Sequence, residues 1–97
     1  MPLPAATPPE AVRATAAVLR VLFFGPLRSL AKTRACEMDW PAEGTADEFW
    51  TRLLRRFPEL ASVRPSVRLA RNGEFLAENG RLHPGDEVAL IPPVSGG

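Results

Sequence analysis

Residues 18–24, with the sequence VLRVLFF, constrain the fold of this chain more than any other segment. β-Branched and aromatic residues followed by a Gly-Pro pair predict a β-strand. Because strand side chains alternate, Val21 and Phe23 point to one face, while Leu22 and Phe24 point to the other. A strand that is apolar on both faces is typical of the centre of a sheet. We therefore predict a central strand whose second apolar face needs its own cover.

The size and charge of the chain limit both its architecture and its partners. A length of 97 residues fits one compact domain. The formal net charge of +1 gives no reason to expect a nucleic acid or a membrane surface as partner, and no segment is apolar over a membrane-spanning length. The single cysteine, Cys36, excludes an internal disulfide and a metal cluster held by thiolates alone, and it favours a reducing, cytoplasmic location.

Composition divides the chain into three parts. Residues 1–17 are rich in alanine and proline without an apolar period, which predicts a disordered extension. Residues 18–91 carry the patterned segments and are predicted to form the domain. Residues 92–97, with the sequence PPVSGG, are predicted to form a flexible tail that ends in two glycines.

A second strand and one helix are predicted in the middle of the chain. Residues 34–40 alternate in polarity, and the short loop before them makes an antiparallel hairpin the simple interpretation. Thr45 and Glu48 have the spacing of a capping box, which begins a helix, and Pro58 stops it. Apolar residues at helical spacing predict the buried face of this helix: Phe49, Leu53, Leu54 and Phe57.

Further strand and turn signals complete the order of elements. Residues 67–71 alternate and lead into Asn72 and Gly73, the strongest short hairpin signal. A turn over residues 83–86 precedes a last strand over residues 87–91. The order β-β-α-β-short β-β predicts an α+β fold of the β-grasp type. Such a fold has a mixed sheet, one main helix across one face, and the first and last strands at the centre.

Three short segments resemble the family of small sulfur-carrier subunits of molybdopterin synthase. They are the VLFF sequence of residues 21–24 with the following Arg28, the GDEV turn of residues 85–88, and the PPVSGG sequence of residues 92–97. The resemblance covers residues 18–97 and leaves out the N-terminal extension. It implies an ubiquitin-like β-grasp fold and a cytoplasmic sulfur carrier in molybdenum cofactor biosynthesis.

The resemblance also implies a reaction cycle and a set of partners. An ubiquitin-activating-like adenylyltransferase uses ATP to adenylate Gly97, whose obligatory neighbour is Gly96, and the acyl adenylate becomes a thiocarboxylate. The carrier then joins the large synthase subunit in a two-plus-two heterotetramer and donates sulfur to cyclic pyranopterin monophosphate. On this interpretation the chain is a non-autonomous, sulfur-donating subunit that binds no cofactor or metal of its own.

The resemblance assigns partner contacts to particular positions of this sequence. The apolar partner-facing positions correspond to Phe24, Phe75 and Ile91, and Arg28 is expected to contact a partner or the tail. The sequence departs from the family pattern in its N-terminal extension and in the Gly73 beside Asn72. The tail itself is expected to enter the partner through its remaining residues: Pro92, Pro93, Val94 and Ser95.

The chemistry of the tail supports part of this interpretation independently. A free carboxylate is a poor acyl electrophile, and the chain has no Gly-x-x-x-x-Gly-Lys-Ser/Thr loop for a nucleotide, so a separate enzyme must activate it. Residues 92–97 span roughly 20 Å when extended at about 3.3 Å per residue. Pro92 and Pro93 keep the root of the tail extended, and Gly96 and Gly97 let partner atoms close around the backbone.

Other functional residues and other functions stay open at this point. Cys36 could carry a persulfide or be a small buried hydrophobe. His83 lies in a turn without a predicted nucleophile beside it. The helix arginines at positions 52, 55 and 56 are either solvated or bind an acidic partner or phosphate. The alternative functions are a sulfur carrier for thiamine or cysteine synthesis, an ubiquitin-like protein modifier, and an interaction module with an inert tail.

Overall fold

The computed structural model of this chain describes residues 17–93. Most of the predicted extension, residues 1–16, and the last four residues of the predicted tail, residues 94–97, lie outside the described residues. The secondary-structure elements extend from Val18 to Ile91. No helix within the described range is long and apolar enough to cross a membrane.

A five-stranded mixed sheet forms the centre of the fold. Its strands are β1 (Val18–Phe23), β2 (Ala35–Asp39), β4 (Arg68–Arg71), β5 (Glu74–Phe75) and β7 (Glu87–Ile91). They lie in the order β2-β1-β7-β4-β5. β1 is antiparallel to β2 and parallel to β7, so that Val21 lies opposite Cys36 on one side and Val88 on the other. This arrangement confirms that the first and last strands are central.

The main helix, α2 (Ala46–Arg56), begins at the predicted capping box. The Glu48 backbone N–H donates to the Thr45 hydroxyl at 3.1 Å, and the Thr45 backbone N–H donates to Glu48 Oε1 at 2.7 Å. Both bonds satisfy backbone donors that the first turn of a helix leaves unpaired. The helix ends before Phe57, whose N–H still donates to Leu53 O at 2.8 Å, and Pro58 then begins a 3₁₀ turn.

The buried face of α2 differs in part from the predicted one. Phe49 and Leu53 are buried as expected, but Trp50 is buried too, whereas Leu54 and Phe57 are only half-buried. Trp50 follows Phe49 by one position, and its large ring reaches the core from the margin of the apolar stripe. The helix thus presents the face that contains residues 49, 50 and 53 to the sheet.

Several short elements were not predicted. The segment between β1 and β2 is not a simple loop, because it contains the helix α1 (Pro26–Ala31), with Leu27 and Ala31 buried. Proline at the first helical position favours such a start, and Lys32 ends the helix in the left-handed conformation with φ 60°. The remaining unpredicted elements are two 3₁₀ turns, Pro58–Ser62 and Arg64–Ser66, and a second, two-stranded sheet formed by β3 (Gly44–Thr45) and β6 (Arg81–Leu82).

The core lies between the main helix and one face of the five-stranded sheet. Side chains of β1 and β7 that alternate along each strand point into it, and the ring of Phe23 packs edge-on against Phe57 with centroids 5.2 Å apart. Trp40 is buried as well, and its indole N–H donates to Leu82 O at 2.9 Å, so its polar atom is satisfied. The sheet side chains in this core are Leu19, Val21, Phe23, Met38, Leu69, Val88 and Leu90.

Candidate partner-binding face

The face of the sheet that points away from α2 is open and apolar at its centre. Leu22 on β1 lies opposite Ala89 on β7, and Ala89 lies opposite Ala70 on β4. These residues alternate with the core residues of the same strands, so they must point to the other side of the sheet. The second apolar face that the first strand predicted is therefore present, and the main helix does not cover it.

A groove of about 300 Å³ runs across this open face. Phe24 and Phe75 are its most exposed apolar side chains, with 36% and 55% of their surfaces accessible. Small alanine side chains between two large rings leave a depression that an apolar side chain of another protein can fill. The groove is lined by Leu22, Phe24, Ala70, Gly73, Phe75, Glu87, Ala89 and Ile91.

Phe24 is positioned by the turn that follows β1. Gly25 adopts φ 57° and ψ −139°, a backbone conformation that residues other than glycine rarely adopt. Arg28, on the next helix, donates from Nε to Phe23 O at 3.2 Å, and its Cζ lies 5.8 Å from the centroid of the Phe24 ring. The Arg28 side chain therefore links α1 to the end of β1, and its charge lies beside the exposed ring of Phe24.

Phe75 is positioned by a tight hairpin. Asn72 has φ 51° and Gly73 has φ 91°, the positive values that such a two-residue turn requires, and Phe75 lies opposite Ala70. The Cζ atom of Arg68 lies 3.7 Å from the centroid of the Phe75 ring. The predicted Asn-Gly hairpin is thus the element that carries one wall of the groove.

Asn72 also ties this hairpin to the start of β7. Its backbone N–H donates to Glu87 O at 2.8 Å, and its side-chain oxygen accepts from the Glu87 N–H at 2.9 Å. Its side-chain amide donates to Asp86 Oδ1 at 3.0 Å, while Asp86 Oδ2 accepts from the His83 N–H at 2.8 Å. The hairpin and the turn over residues 83–86 therefore hold each other, which fixes Phe75 relative to the last strand.

The root of the tail lies at one end of the groove. β7 ends at Ile91, which lines the groove, and Ile91 lies opposite Arg68 in the sheet. Pro92 is half-buried, and a Cβ atom on Gly25 would come within 3.3 Å of Pro92 Cγ. The chain therefore leaves the sheet against the turn that carries Phe24, and Pro93 is exposed beyond it.

The structure brings most of the predicted partner-facing residues together. Phe24, Phe75 and Ile91, which are far apart in the sequence, line one groove, with Arg28 and Pro92 beside it. Sequence reasoning had not assigned Ala70, Ala89 and Arg68 to this face, although the alternation of their strands placed them opposite the core residues. Four predicted tail residues lie outside the described range: Val94, Ser95, Gly96 and Gly97.

The remaining candidate residues lie elsewhere. Cys36 is half-buried on the core face of β2, and burial raises the pKa of its thiol, while the nearby charge of Arg56 acts in the opposite direction. His83 lies in its turn with Nε2 3.8 Å from Glu43 Oε1. Arg52 and Arg56 donate to backbone carbonyls of β2. Among residues 17–93 no three His, Cys, Asp or Glu side chains are grouped to hold a metal ion.

Comparison with known proteins identifies the family. The model of the ThiS family matches residues 21–97, which include the tail. The molybdopterin synthase sulfur carrier subunit of Drosophila ananassae is 38% identical over 82 residues, which cover 81% of this chain and 90% of that protein.

Solved structures of related proteins share this fold. The crystal structure of SAMP1 from Haloferax volcanii is 30% identical, with a TM-score of 0.71, over 82% of this chain and 99% of that one. A chain in the complex of subunits 1 and 2 of the molybdopterin-converting factor from Helicobacter pylori is 26% identical, with a TM-score of 0.61, over 82% and 99% of the two chains. These matches confirm the predicted β-grasp fold and the predicted resemblance, and this chain belongs to the ThiS family.

Proposed function

We propose that this chain is a sulfur carrier in molybdenum cofactor biosynthesis and holds its sulfur as a thiocarboxylate on Gly97. One observation carries this proposal. The apolar groove of the open face ends at Ile91, and the tail begins at the next residue, Pro92. A partner that covers the groove therefore also receives the tail. The names of the curated relatives and the extent of the family match, through residue 97, support the same function.

The proposed chemistry takes place at the carboxylate of Gly97. One carboxylate oxygen attacks the α-phosphorus of ATP, pyrophosphate leaves, and an acyl adenylate forms on an ubiquitin-activating-like adenylyltransferase. A sulfide equivalent supplied by that system then displaces AMP and leaves a thiocarboxylate. The ATP is bound by the enzyme, and the carrier contributes only the reacting group. Gly96 and Gly97 lack a Cβ atom, so the attacking groups can approach the carbonyl closely.

The proposed acceptor complex is molybdopterin synthase. The large subunit covers the groove formed by Phe24, Phe75 and Ile91 and encloses the tail, including Val94 and Ser95. The Helicobacter pylori complex of two subunits supports a partner of this kind. Within a two-plus-two heterotetramer, the thiocarboxylate sulfur attacks a carbon of cyclic pyranopterin monophosphate and displaces an oxygen substituent. Water then cleaves the acyl–sulfur bond, which leaves the sulfur on the pterin and restores the carboxylate of Gly97. The large subunit supplies the pterin site and the proton transfers.

The root of the tail has a structural part in this function. Pro92 packs against Gly25, and both prolines restrict φ to about −65°. The six residues 92–97 reach about 20 Å when extended. A fixed root therefore limits the directions in which the terminal carboxylate can extend from the sheet. A root without this support would let the tail sample many directions before it entered the partner.

Intact-protein mass spectrometry with a thiocarboxylate-selective reagent tests the proposal. The chain is produced with its activating system, and it is compared with a variant that lacks Gly97 and with Cys36→Ser. We expect the reagent to label the terminal peptide of the parent chain and of Cys36→Ser, but not of the shortened chain. Because sulfur for oxygen and one oxidation add nearly the same mass, the labelling reaction is essential. Labelling that follows Cys36 instead of Gly97 contradicts the proposal.

The sulfur acceptor needs a separate measurement. The thiocarboxylated carrier, not treated with the labelling reagent, is mixed with the large synthase subunit and cyclic pyranopterin monophosphate, and formation of molybdopterin is measured. We expect product with the thiocarboxylated chain and none with the carboxylate form. Transfer to a thiamine or cysteine precursor, without any molybdopterin, would favour the other carrier pathways. The predicted cytoplasmic location stays a prediction.

A second candidate function is protein modification, in which Gly97 forms an amide bond with a lysine of another protein. The similarity to a structure described as a small archaeal modifier protein favours this candidate. Mass spectrometry of proteolysed proteins from cells that produce this chain tests the candidate. A modified lysine would carry a branched peptide that contains the end of the tail. Such peptides would establish conjugation, and their absence beside a strong thiocarboxylate signal would argue against it.

A further inference from the structure

Arg68 is a cation that the fold holds at the tail end of the open face. Its guanidinium carbon lies 3.7 Å from the centroid of the Phe75 ring, which is a close stacking distance. It lies opposite Ile91, the last residue before the tail, and it is exposed. The side chain therefore stands beside both the groove and the point at which the tail leaves the sheet.

The charges on the open face are arranged unevenly. At the end away from the tail, Arg20 on β1 lies between Glu37 on β2 and Glu87 on β7 in the strand register. At the tail end lie Arg28 and Arg68, each beside an exposed phenylalanine ring. Among residues 17–93, the described ion pairs involve other residues, so no carboxylate of this part of the chain neutralises Arg68. The rim of the groove is therefore positive where the tail begins.

The stacking of Arg68 on Phe75 orients the guanidinium so that it can bind a carboxylate. A guanidinium that lies over a ring still presents its in-plane N–H donors at its edge, and these match the two oxygens of a carboxylate. The ring restricts the rotamers of a long side chain before any partner arrives, so less conformational entropy is lost on binding. A lysine at this position would keep the charge but lose the planar, paired donors.

We propose that Arg68 binds a carboxylate of the large synthase subunit when that subunit covers the groove. The assignment rests on the proposed function and adds a residue that selects the partner. The groove takes an apolar side chain of the large subunit, and an aspartate or glutamate beside that side chain reaches the edge of the Arg68 guanidinium. Charge complementarity supports this occupant, since a second copy of the same face would bring further arginines to a positive rim.

Equilibrium binding of the full chain to its large subunit tests this proposal. Arg68→Leu is compared with Arg68→Lys and Arg68→Glu, and the matched control is Arg55→Leu, an exposed arginine on α2 without a described contact. We expect the dissociation constant to rise about tenfold for Arg68→Leu, less for Arg68→Lys, and more for Arg68→Glu. We expect the control to stay within about twofold of the parent chain. Circular dichroism checks that each variant is folded.

Salt dependence separates a charge contact from a packing effect. Raising the salt from about 0.1 M to about 1 M shortens the screening length from about 10 Å to about 3 Å. We expect this change to weaken binding of the parent chain and of the Arg55→Leu control, but to affect Arg68→Leu much less. Loss of the groove ring in Phe75→Leu should weaken binding while much of the salt dependence remains.

Three outcomes would overturn the assignment. The first is a dissociation constant and a salt dependence of Arg68→Leu that both match the parent chain. The second is normal binding of Arg68→Glu to the large subunit with loss of thiocarboxylate formation, which would assign Arg68 to the adenylyltransferase. The third is failure of the parent chain itself to bind the large subunit. Only this third result also removes the synthase complex on which the proposed function depends.

Discussion

Arg56 donates a hydrogen bond from Nη1 to the backbone carbonyl of Glu37 at 2.7 Å, and this bond joins the end of α2 to the outer edge of the sheet. Arg52 makes the same kind of bond to Asp39 O at 3.1 Å. The Thr33 hydroxyl donates to Ala35 O at 3.0 Å farther along the strand. β2 is an edge strand, and open edges pair readily with other chains. These side chains therefore cover carbonyl groups that another strand would otherwise use.

The double variant Arg52→Ala, Arg56→Ala should self-associate more than the parent chain. Removing both side chains exposes the Glu37 and Asp39 carbonyls to strand pairing. We expect the mean mass in sedimentation or light scattering to rise with protein concentration for the double variant. Arg55→Ala, which removes an arginine from the same helix, should behave like the parent chain. Equal masses for the double variant and the control would show that these bonds do not protect the edge.

The capping box predicts both a loss of stability and a change with pH. Thr45→Ala should lower the free energy of unfolding by about 1 kcal/mol, because it removes the acceptor for the Glu48 N–H. Hydrogen bonds from the Thr45 backbone and hydroxyl lower the pKa of the Glu48 carboxyl from its ordinary value of 4.5. Its contribution is therefore present above pH 4.5 and is lost as the pH falls through the lower pKa of the folded state.

Chemical denaturation of Thr45→Ala and Glu48→Gln across this pH range measures the effect. We expect Glu48→Gln to be less stable than the parent chain near pH 7, and we expect the difference to shrink in acid. Glu59→Gln, which changes an exposed carboxylate outside the box, serves as the control. A stability difference between Glu48→Gln and the parent chain that grows as the pH falls would contradict the assigned hydrogen bonds.

Gly25 and Gly73 provide a matched pair that tests the root of the tail. Both have positive φ, so an alanine at either position should destabilise the fold by about 1–2 kcal/mol. Only at Gly25 would the added Cβ contact Pro92 Cγ, at 3.3 Å, whereas at Gly73 no atom lies within 4 Å. We therefore expect Gly25→Ala, but not Gly73→Ala, to lower the yield of thiocarboxylate at equal folded fraction. Equal thiocarboxylate yields for the two variants would show that the contact between residue 25 and Pro92 does not affect activation of the tail.

Cys36 should be unreactive in the folded chain. Burial raises the pKa of its thiol above the ordinary value of 9.0, so the reactive thiolate is less populated near neutral pH. Alkylation should be slower in the native chain than after denaturation. Because the folded pKa lies above the unfolded one, the stability linked to this thiol is complete below pH 9 and is lost as the pH rises through the folded value. Cys36→Ala should remove this part of the loss of stability at alkaline pH. Rapid alkylation of the native chain would contradict the burial of the thiol.

Features that depend on neighbours along the chain could be predicted from the sequence. The apolar pattern of residues 18–24 predicted a central strand, the spacing of Thr45 and Glu48 predicted the start of α2, and Asn72 with Gly73 predicted the hairpin. Backbone sterics and bonds over three or four positions control each of these, so a local pattern is sufficient. The tail was predicted by its chemistry and by resemblance, and its last residues lie outside the described range.

Contacts between residues that are distant in the sequence became visible only in the folded chain. The parallel pairing of β1 with β7 brings Ile91 toward Phe24, and the pairing of β4 with β7 places Arg68 opposite Ile91. The helix α1 was missed because Leu27 and Ala31 gain their stability from burial against the core more than from local helix signals. Strand order and register are long-range properties, set by the packing of the whole core, so no local pattern could have shown that Arg68 stands beside the tail.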